Sequence, residues 1–117
     1  MTDTRFTTVL EELARLRGVA ASLLVSATDG IVIDSITQIG EDDSRVAALA
    51  GSLYRRARRS AEAAGLGDTG FMHLEAERGR VCAIGGNELV LVVVTERDVN
   101  VGVVRVAMLR AAEALVS

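Results

Sequence analysis

The glycine-rich segment at residues 65–70 is the first place where this sequence could hold a cofactor. Gly65-Leu66-Gly67-Asp68-Thr69-Gly70 matches the pattern G-x-G-x-x-G of dinucleotide-binding turns. That fingerprint needs a strand before the glycines and a helix after them, because the helix N-terminus binds the pyrophosphate. Here a helical pattern ends at Gly65 and a strand pattern begins near Thr69. We therefore interpret the segment as a helix C-cap and loop, and expect no cofactor.

His73 and Cys82 are the single histidine and the single cysteine of the chain, and both fall in predicted strands. They are too few for a structural zinc site, which needs four ligands. They could be cross-strand neighbours, but a thiol–imidazole catalytic pair also needs an oxyanion hole and a pocket, and no motif marks either. We expect no catalytic residue and no metal ligand, and hence a protein that is not an enzyme.

The run Arg55-Arg56-Ala57-Arg58-Arg59 is the sharpest cluster of charge. One interpretation is a solvated helix face, since cations are favourable near a helix C-terminus. The other is a docking surface for an acidic partner, because the planar guanidinium pairs with carboxylates through two hydrogen bonds. The net charge of −3 argues against nucleic acid as the partner. The predicted partner-binding residues are Arg45, Ser52, Arg55, Arg56 and Arg59.

Hydrophobic periodicity and glycine turns predict the elements that position these residues. A helix covers the segment from Phe6 to Leu16, and a long second helix starts at residues 41–44 and ends at Gly65. A last helix follows Asp98 or Asn100, although its first residues are β-branched. The predicted strands span 19–27, 31–37, 69–76, 80–84 and 89–95, and an Asp-Gly turn joins the first two.

The predicted order is α-β-β-α-β-β-β-α, which indicates an α/β (α+β) domain with an antiparallel sheet sandwiched between helices. The apolar run from Leu89 to Val94 is typical of a strand buried on both faces. The length of 117 residues suits a single domain, 1–117. The N-terminus carries no apolar leader, and no run approaches the ~20 residues of a membrane span. We expect a cytoplasmic protein without membrane insertion.

Two stretches resemble the Roadblock (dynein light chain) family, and its bacterial branch in particular. The first is Gly18-Val19-Ala20-Ala21-Ser22-Leu23-Leu24-Val25-Ser26, followed by Asp29-Gly30-Ile31-Val32-Ile33. The second is Asp98-Val99-Asn100-Val101-Gly102-Val103-Val104-Arg105, which is similar to the entry into the last helix of that family. That branch includes gliding-motility regulators and partners of small GTPases. The resemblance implies a five-stranded antiparallel sheet with the second helix on one face and the other two helices on the opposite face.

The resemblance also implies a homodimer, or a higher oligomer, in which second helices pack antiparallel and third strands pair at the sheet edges. Gly51 offers independent support, since a mid-helix glycine costs ~1 kcal/mol relative to alanine and small residues let another helix approach. The alternative is that Gly51 fits against the protein's own sheet. The predicted dimer interface comprises Ala47, Gly51, Tyr54, Arg58, Met72 and His73.

The hypothesis is a non-enzymatic homodimer that binds and regulates a Ras-like small GTPase, either as an activating protein or as a platform. The alternative is a scaffold subunit of a signalling assembly, for example beside a sensor kinase, with no effect on GTP hydrolysis. A small-molecule-binding or catalytic domain is a third hypothesis, which would need a ligand-sized pocket that the Val-rich, Gly-punctuated core does not suggest.

Overall fold

The computed structural model describes residues 4–37, 43–85 and 88–116. It contains three helices and five strands in the predicted order. Their bounds are α1 Thr4–Ala14, β1 Val19–Ser26, β2 Val32–Thr37, α2 Asp43–Ala63, β3 Met72–Ala76, β4 Gly79–Gly85, β5 Leu89–Glu96 and α3 Val101–Val116. The predicted first residues of α2 at 41–42, and Gly86 and Asn87 of the turn before β5, lie outside the described residues.

The five strands form one antiparallel sheet in the order β2-β1-β5-β4-β3. The strand β5 lies at its centre, and its residues from Val90 to Val93 are all buried. This confirms the expectation drawn from the unbroken apolar run. The edges of the sheet are β2 and β3. Among the described helices, none is both long and apolar enough to cross a membrane.

Apolar side chains form one core on each face of the sheet. Leu10 and Leu13 of α1 pack with Val104 and Met108 of α3 on the first face. The helix α2 covers the other face through small residues and Tyr54. The fold class and the arrangement of the helices that the resemblance implied are therefore confirmed.

Helix ends follow the local chemistry of the sequence. Gly65 has a φ of 75°, and the N–H of Leu66 bonds the carbonyl of Ala61 at 2.9 Å. This is the C-cap that the glycine pattern predicted. At the start of α3 the side chain of Asn100 accepts the N–H of Val103 at 3.2 Å. This cap and the buried apolar face of α3 together outweigh the preference of the β-branched residues in its first turn for a strand.

The strand β3 begins at Met72, three residues later than predicted. Its pairing with β4 stops at Met72 and Ala83, so Gly85 would face Gly70 if the register continued. Both backbone polar groups of Gly85 instead bond the hydroxyl of Tyr54, each at 3.0 Å. Because these groups are already bound, the chain before Met72 does not extend the ladder.

Candidate functional site

The inner face of α2 rests on the protein's own sheet. Ala47 and Tyr54 are 0% and 1% exposed, and Gly51 is buried. A Cβ added to Gly51 would lie 3.6 Å from Val25 of β1. Within the folded chain these three residues have no surface to offer a second copy, so their assignment to the dimer interface was wrong. The alternative, that Gly51 fits against the chain's own sheet, is what the structure shows.

The outer face of α2 carries the residues that can meet a partner. Leu49 is 63% exposed and Leu53 is 38% exposed, and the two side chains are neighbours on this face because they stand four residues apart in the helix. Arg45, Arg56 and Arg59 are also exposed. At 3.6 residues per turn, the predicted residues Arg45, Ser52, Arg56 and Arg59 fall within roughly 60° of the helix circumference. The structure therefore brings four of the five predicted partner-binding residues onto one side.

Arg55 is the exception, because it is engaged inside the chain. Its Nη1 donates to the carbonyl of Ala27 at 2.7 Å and to the carbonyl of Thr28. The next residue of this turn, Asp29, accepts the N–H of Ile31 at 3.2 Å. That hydrogen bond lowers the pKa of the Asp29 carboxyl, with help from Ser26 and the charge of Arg55. Arg55 therefore holds the turn between β1 and β2, and its role in docking a partner stays a prediction.

Arg58 also has an intrachain role. It lies in the last turns of α2, and its Nη2 stands 3.2 Å from a carboxylate oxygen of Asp68 in the following loop. The Arg58 side chain is 23% exposed, whereas that of Asp68 is 77% exposed. Such a pair contributes at most about 1 kcal/mol to stability. Its placement on the inner side of α2 argues against the predicted role of Arg58 in the dimer interface.

The edge strand β3 carries the other two predicted interface residues. Met72 is half-buried on the side of α2, and His73 is exposed on the opposite face of the sheet. Leu74 follows on the α2 side and is 44% exposed. Met72 and His73 stand at an open sheet edge, and their role in a dimer stays a prediction.

The two candidate catalytic residues, His73 and Cys82, are neighbours in the sheet but do not form a catalytic pair. His73 and Cys82 are direct cross-strand partners, as the sequence suggested. The Nε2 atom of His73, however, contacts Nη1 of Arg80 at 3.0 Å. Cys82 is fully buried, and burial raises the pKa of its thiol. A raised pKa keeps the thiol protonated and poorly nucleophilic at neutral pH.

The glycine-rich segment follows a helix and precedes a strand, so it lacks the context of a nucleotide-binding turn. Cβ atoms added to Gly65, Gly67 or Gly70 would meet nothing within 4 Å. Glycine is thus required by positive φ at Gly65 and Gly67 rather than by the approach of a ligand. In the described ranges no group of three or more His, Cys, Asp or Glu could hold a metal ion.

The sequence shows two stripes of helical spacing on α2, and the structure exchanges the roles predicted for them. The stripe of Ala47, Gly51 and Tyr54, predicted to face a second copy, lies on the chain's own sheet, whereas Leu49 and Leu53 of the neighbouring apolar stripe are exposed. Leu74 of β3, also exposed, carried no signal in the sequence. A helix with two apolar stripes has one more than a single sheet can cover, which is itself an indication of a second contact.

The antiparallel five-stranded sheet, with one helix on one face and two on the other, defines a small three-layer α/β domain, and its single helix carries an exposed surface of leucines and arginines. Residues 5–95 match the model of the Roadblock/LC7 domain. The chain belongs to the Roadblock/LC7 family.

Relatives cover nearly the whole chain. It is 36% identical over 105 residues to the protein MJ1340 of Methanocaldococcus jannaschii, covering 90% of this chain and 91% of that one. The fold is similar to that of Myxococcus xanthus MglB, with a TM-score of 0.85, 22% identity and coverage of 96% and 85%. A structure described as MglB with a tetrameric arrangement has a TM-score of 0.83, 26% identity and the same coverage, 96% and 85%.

Proposed function

We propose that this chain is a non-enzymatic homodimeric module that binds and regulates a Ras-like small GTPase. The observation that carries the proposal is the outer face of α2, where the exposed leucines stand beside the exposed Arg56 and Arg59. Membership of the Roadblock/LC7 family supports the proposal, since resemblance to its bacterial branch implies small-GTPase partners.

The leucines favour self-association. The helix α2 packs over β1, β2, β4 and β5, while β3 lies beyond it at the sheet edge. Arg55 marks the flank of α2 that faces the turn between β1 and β2. Leu53 lies roughly 200° around the helix from Arg55, on the flank toward β4 and β3. Together with Leu74, it lines an apolar surface that a second α2 can cover, which agrees with the antiparallel helix packing that the family implies.

The arginines favour the heterologous partner. Arg56 and Arg59 are exposed, and no hydrogen bond or ion pair to the described residues holds either of them. Arginine is enriched at protein interfaces because it combines charge with a planar, weakly hydrated surface. In a dimer with adjacent α2 helices, the arginines of both copies would flank one composite surface. That surface suits an acidic region of a GTPase.

Single-turnover GTP hydrolysis is the experiment that tests this function. Each Ras-like GTPase encoded in the same genome is loaded with GTP and followed with and without this chain in excess. The expected result is a faster rate with one of them, in a manner that saturates with the concentration of the chain. A GTPase that binds the chain without acceleration would support the platform form of the proposal. The absence of both binding and acceleration for every GTPase would overturn it and leave the scaffold alternative.

A further inference from the structure

Arg80 joins two side chains of the edge strand β3. Its Nη1 lies 3.0 Å from Nε2 of His73, and its Nη2 lies 3.0 Å from Oε1 of Glu75. Its Nε donates to the carbonyl of Arg97 at 2.8 Å, which fixes the guanidinium on the sheet. The Arg80 side chain is only 18% exposed. His73 and Glu75 are thus held side by side at the open edge, on the face away from α2.

The contact with Arg80 decides which nitrogen of His73 carries a hydrogen. A guanidinium has only donors, so Nε2 of His73 must accept. The neutral ring then carries its hydrogen on Nδ1. Among the described residues, no hydrogen bond satisfies this Nδ1–H. The edge of β3 therefore presents a donor at residue 73 and a carboxylate acceptor at residue 75.

We propose that the β3 strands of two copies pair antiparallel in a register centred on Leu74, so that each His73 faces the partner's Glu75. The inference rests on the proposed homodimer and adds its register and the side chains that select it. Each Nδ1–H of His73 donates to the Glu75 carboxylate opposite, and the Arg80 of each copy keeps its own His73 and Glu75 in position. The hydrogen bonds between His73 and Glu75 form only when the second copy is present.

Symmetry leaves few other registers. When two edge strands pair into one continuous sheet, the two-fold axis that relates the copies is perpendicular to the sheet. Such an axis keeps each face of the sheet on the same side, so residues that lie opposite each other belong to the same face. The axis therefore passes between two copies of the same residue, which is the centre of the register. A centre at His73 would place the two imidazoles opposite each other. A centre at Glu75 would place two carboxylates opposite each other, which is destabilising. The centre at Leu74 alone also pairs all five residues of β3.

The face toward α2 supports the same centre. Met72, Leu74 and Ala76 alternate with His73 and Glu75, and Leu74 is 44% exposed. In the proposed register the two Leu74 side chains meet at the two-fold axis. The contact between them buries the exposed apolar side chain at the centre of the strand.

Cysteine cross-linking reads the register directly. Residues directly opposite in an antiparallel pair have Cβ atoms about 5 Å apart, whereas diagonal neighbours are about 7–8 Å apart, beyond the reach of a disulfide. Leu74→Cys should form a covalent dimer on mild oxidation. His73→Cys and Glu75→Cys should each remain uncrosslinked alone and should cross-link to each other when mixed. The wild-type chain is the control, because its Cys82 is buried. Cross-linking of His73→Cys or Glu75→Cys with itself would overturn the register.

A residue exchange tests the side chains that select the register. His73→Glu and Glu75→His should each raise the dimer dissociation constant about tenfold, because two symmetric pairs are lost at once. The double exchange should restore dissociation to within about threefold of wild type, since Glu and His again face each other. A double variant as weak as the single variants would contradict the proposal. Urea unfolding of each variant separates a dimer defect from a folding defect.

The failure of this inference can be told apart from failure of the proposed function. A wild-type dimer that cross-links in another register overturns only the inference. A chain that sediments as a monomer but accelerates GTP hydrolysis overturns the inference and the homodimer, while GTPase regulation stands. Dimerisation in the proposed register with no GTPase bound supports the inference and overturns the GTPase role.

Discussion

The hydroxyl of Tyr54 bonds both the N–H and the carbonyl of Gly85, at 3.0 Å each, and so joins α2 to the end of β4. It also lies 3.2 Å from the carbonyl of Thr69. Tyr54→Phe should lower the free energy of unfolding by about 1–3 kcal/mol, because it leaves the polar groups of Gly85 without their partner. Urea unfolding measures the difference. Thr8→Ala, at an exposed position of α1, is the control and should change stability by less than about 0.5 kcal/mol.

The pKa of Tyr54 offers a second test of the same contact. Burial raises it above the usual 10.0, while the hydrogen bond from Gly85 acts in the opposite direction. The neutral phenol is thus favoured in the folded state, and its contribution to stability is present below pH 10 and lost as the pH rises through the folded pKa.

The chain contains one tyrosine, so ultraviolet absorbance of tyrosinate reports Tyr54 alone. We expect the folded protein to titrate above the protein unfolded in urea. Equal midpoints under the two conditions would show that the hydroxyl is not desolvated.

Gly51 separates packing against the sheet from packing against a second copy. A methyl group at this position would make ordinary contacts, 3.6 Å from Val25 and 3.9 Å from Gly30. Gly51→Ala should therefore stabilise the fold by up to about 1 kcal/mol through helix propensity. Gly51→Leu should destabilise it by about 1–3 kcal/mol through overpacking. Thermal unfolding with sedimentation tests both variants. If Gly51→Leu gave a stable monomer, the residue would belong to the dimer interface after all.

Arg55 and Arg56 are neighbours in sequence, but we expect only the loss of the Arg55 side chain to lower stability. Arg55→Ala should lower the free energy of unfolding by about 1.5–3 kcal/mol, because it removes a charged donor from two carbonyls of the β1–β2 turn. Arg56→Ala should change stability by less than about 0.5 kcal/mol, because the side chain is exposed. Denaturant unfolding of the two single variants compares them directly. Equal losses would contradict the division of the arginine cluster into a structural and a surface part.

Much of the fold could be predicted because each element carries its own signal. The apolar run of β5, the Asp-Gly turn and the glycine after α2 are local features, and the structure confirms all of them. The start of β3 could not be predicted, since it depends on which group takes the backbone of Gly85. That partner, Tyr54, is 31 residues away in the sequence.

The two faces of α2 were harder to tell apart for a physical reason. Leu49 and Leu53 are more hydrophobic than Ala47 and Gly51, but a helix reaches a sheet closely only where its side chains are small. Gly30 illustrates how close the approach is, since a Cβ there would lie 3.2 Å from Cα of Ala48. Arg55 was similarly ambiguous, because its role depends on a turn whose position only the folded structure defines.

Binding between the chain and its GTPase tests the central claim most directly. The affinities of wild type, Arg56→Glu/Arg59→Glu and the control Arg15→Glu, on the opposite side of the sheet, are measured by calorimetry with each GTP-loaded Ras-like GTPase of the genome. We expect wild type and control to bind one GTPase equally and the double variant to bind it at least about tenfold more weakly, with unchanged unfolding. Equal binding by the double variant would contradict the assignment of this surface, and no binding by any of the three would contradict the proposed function.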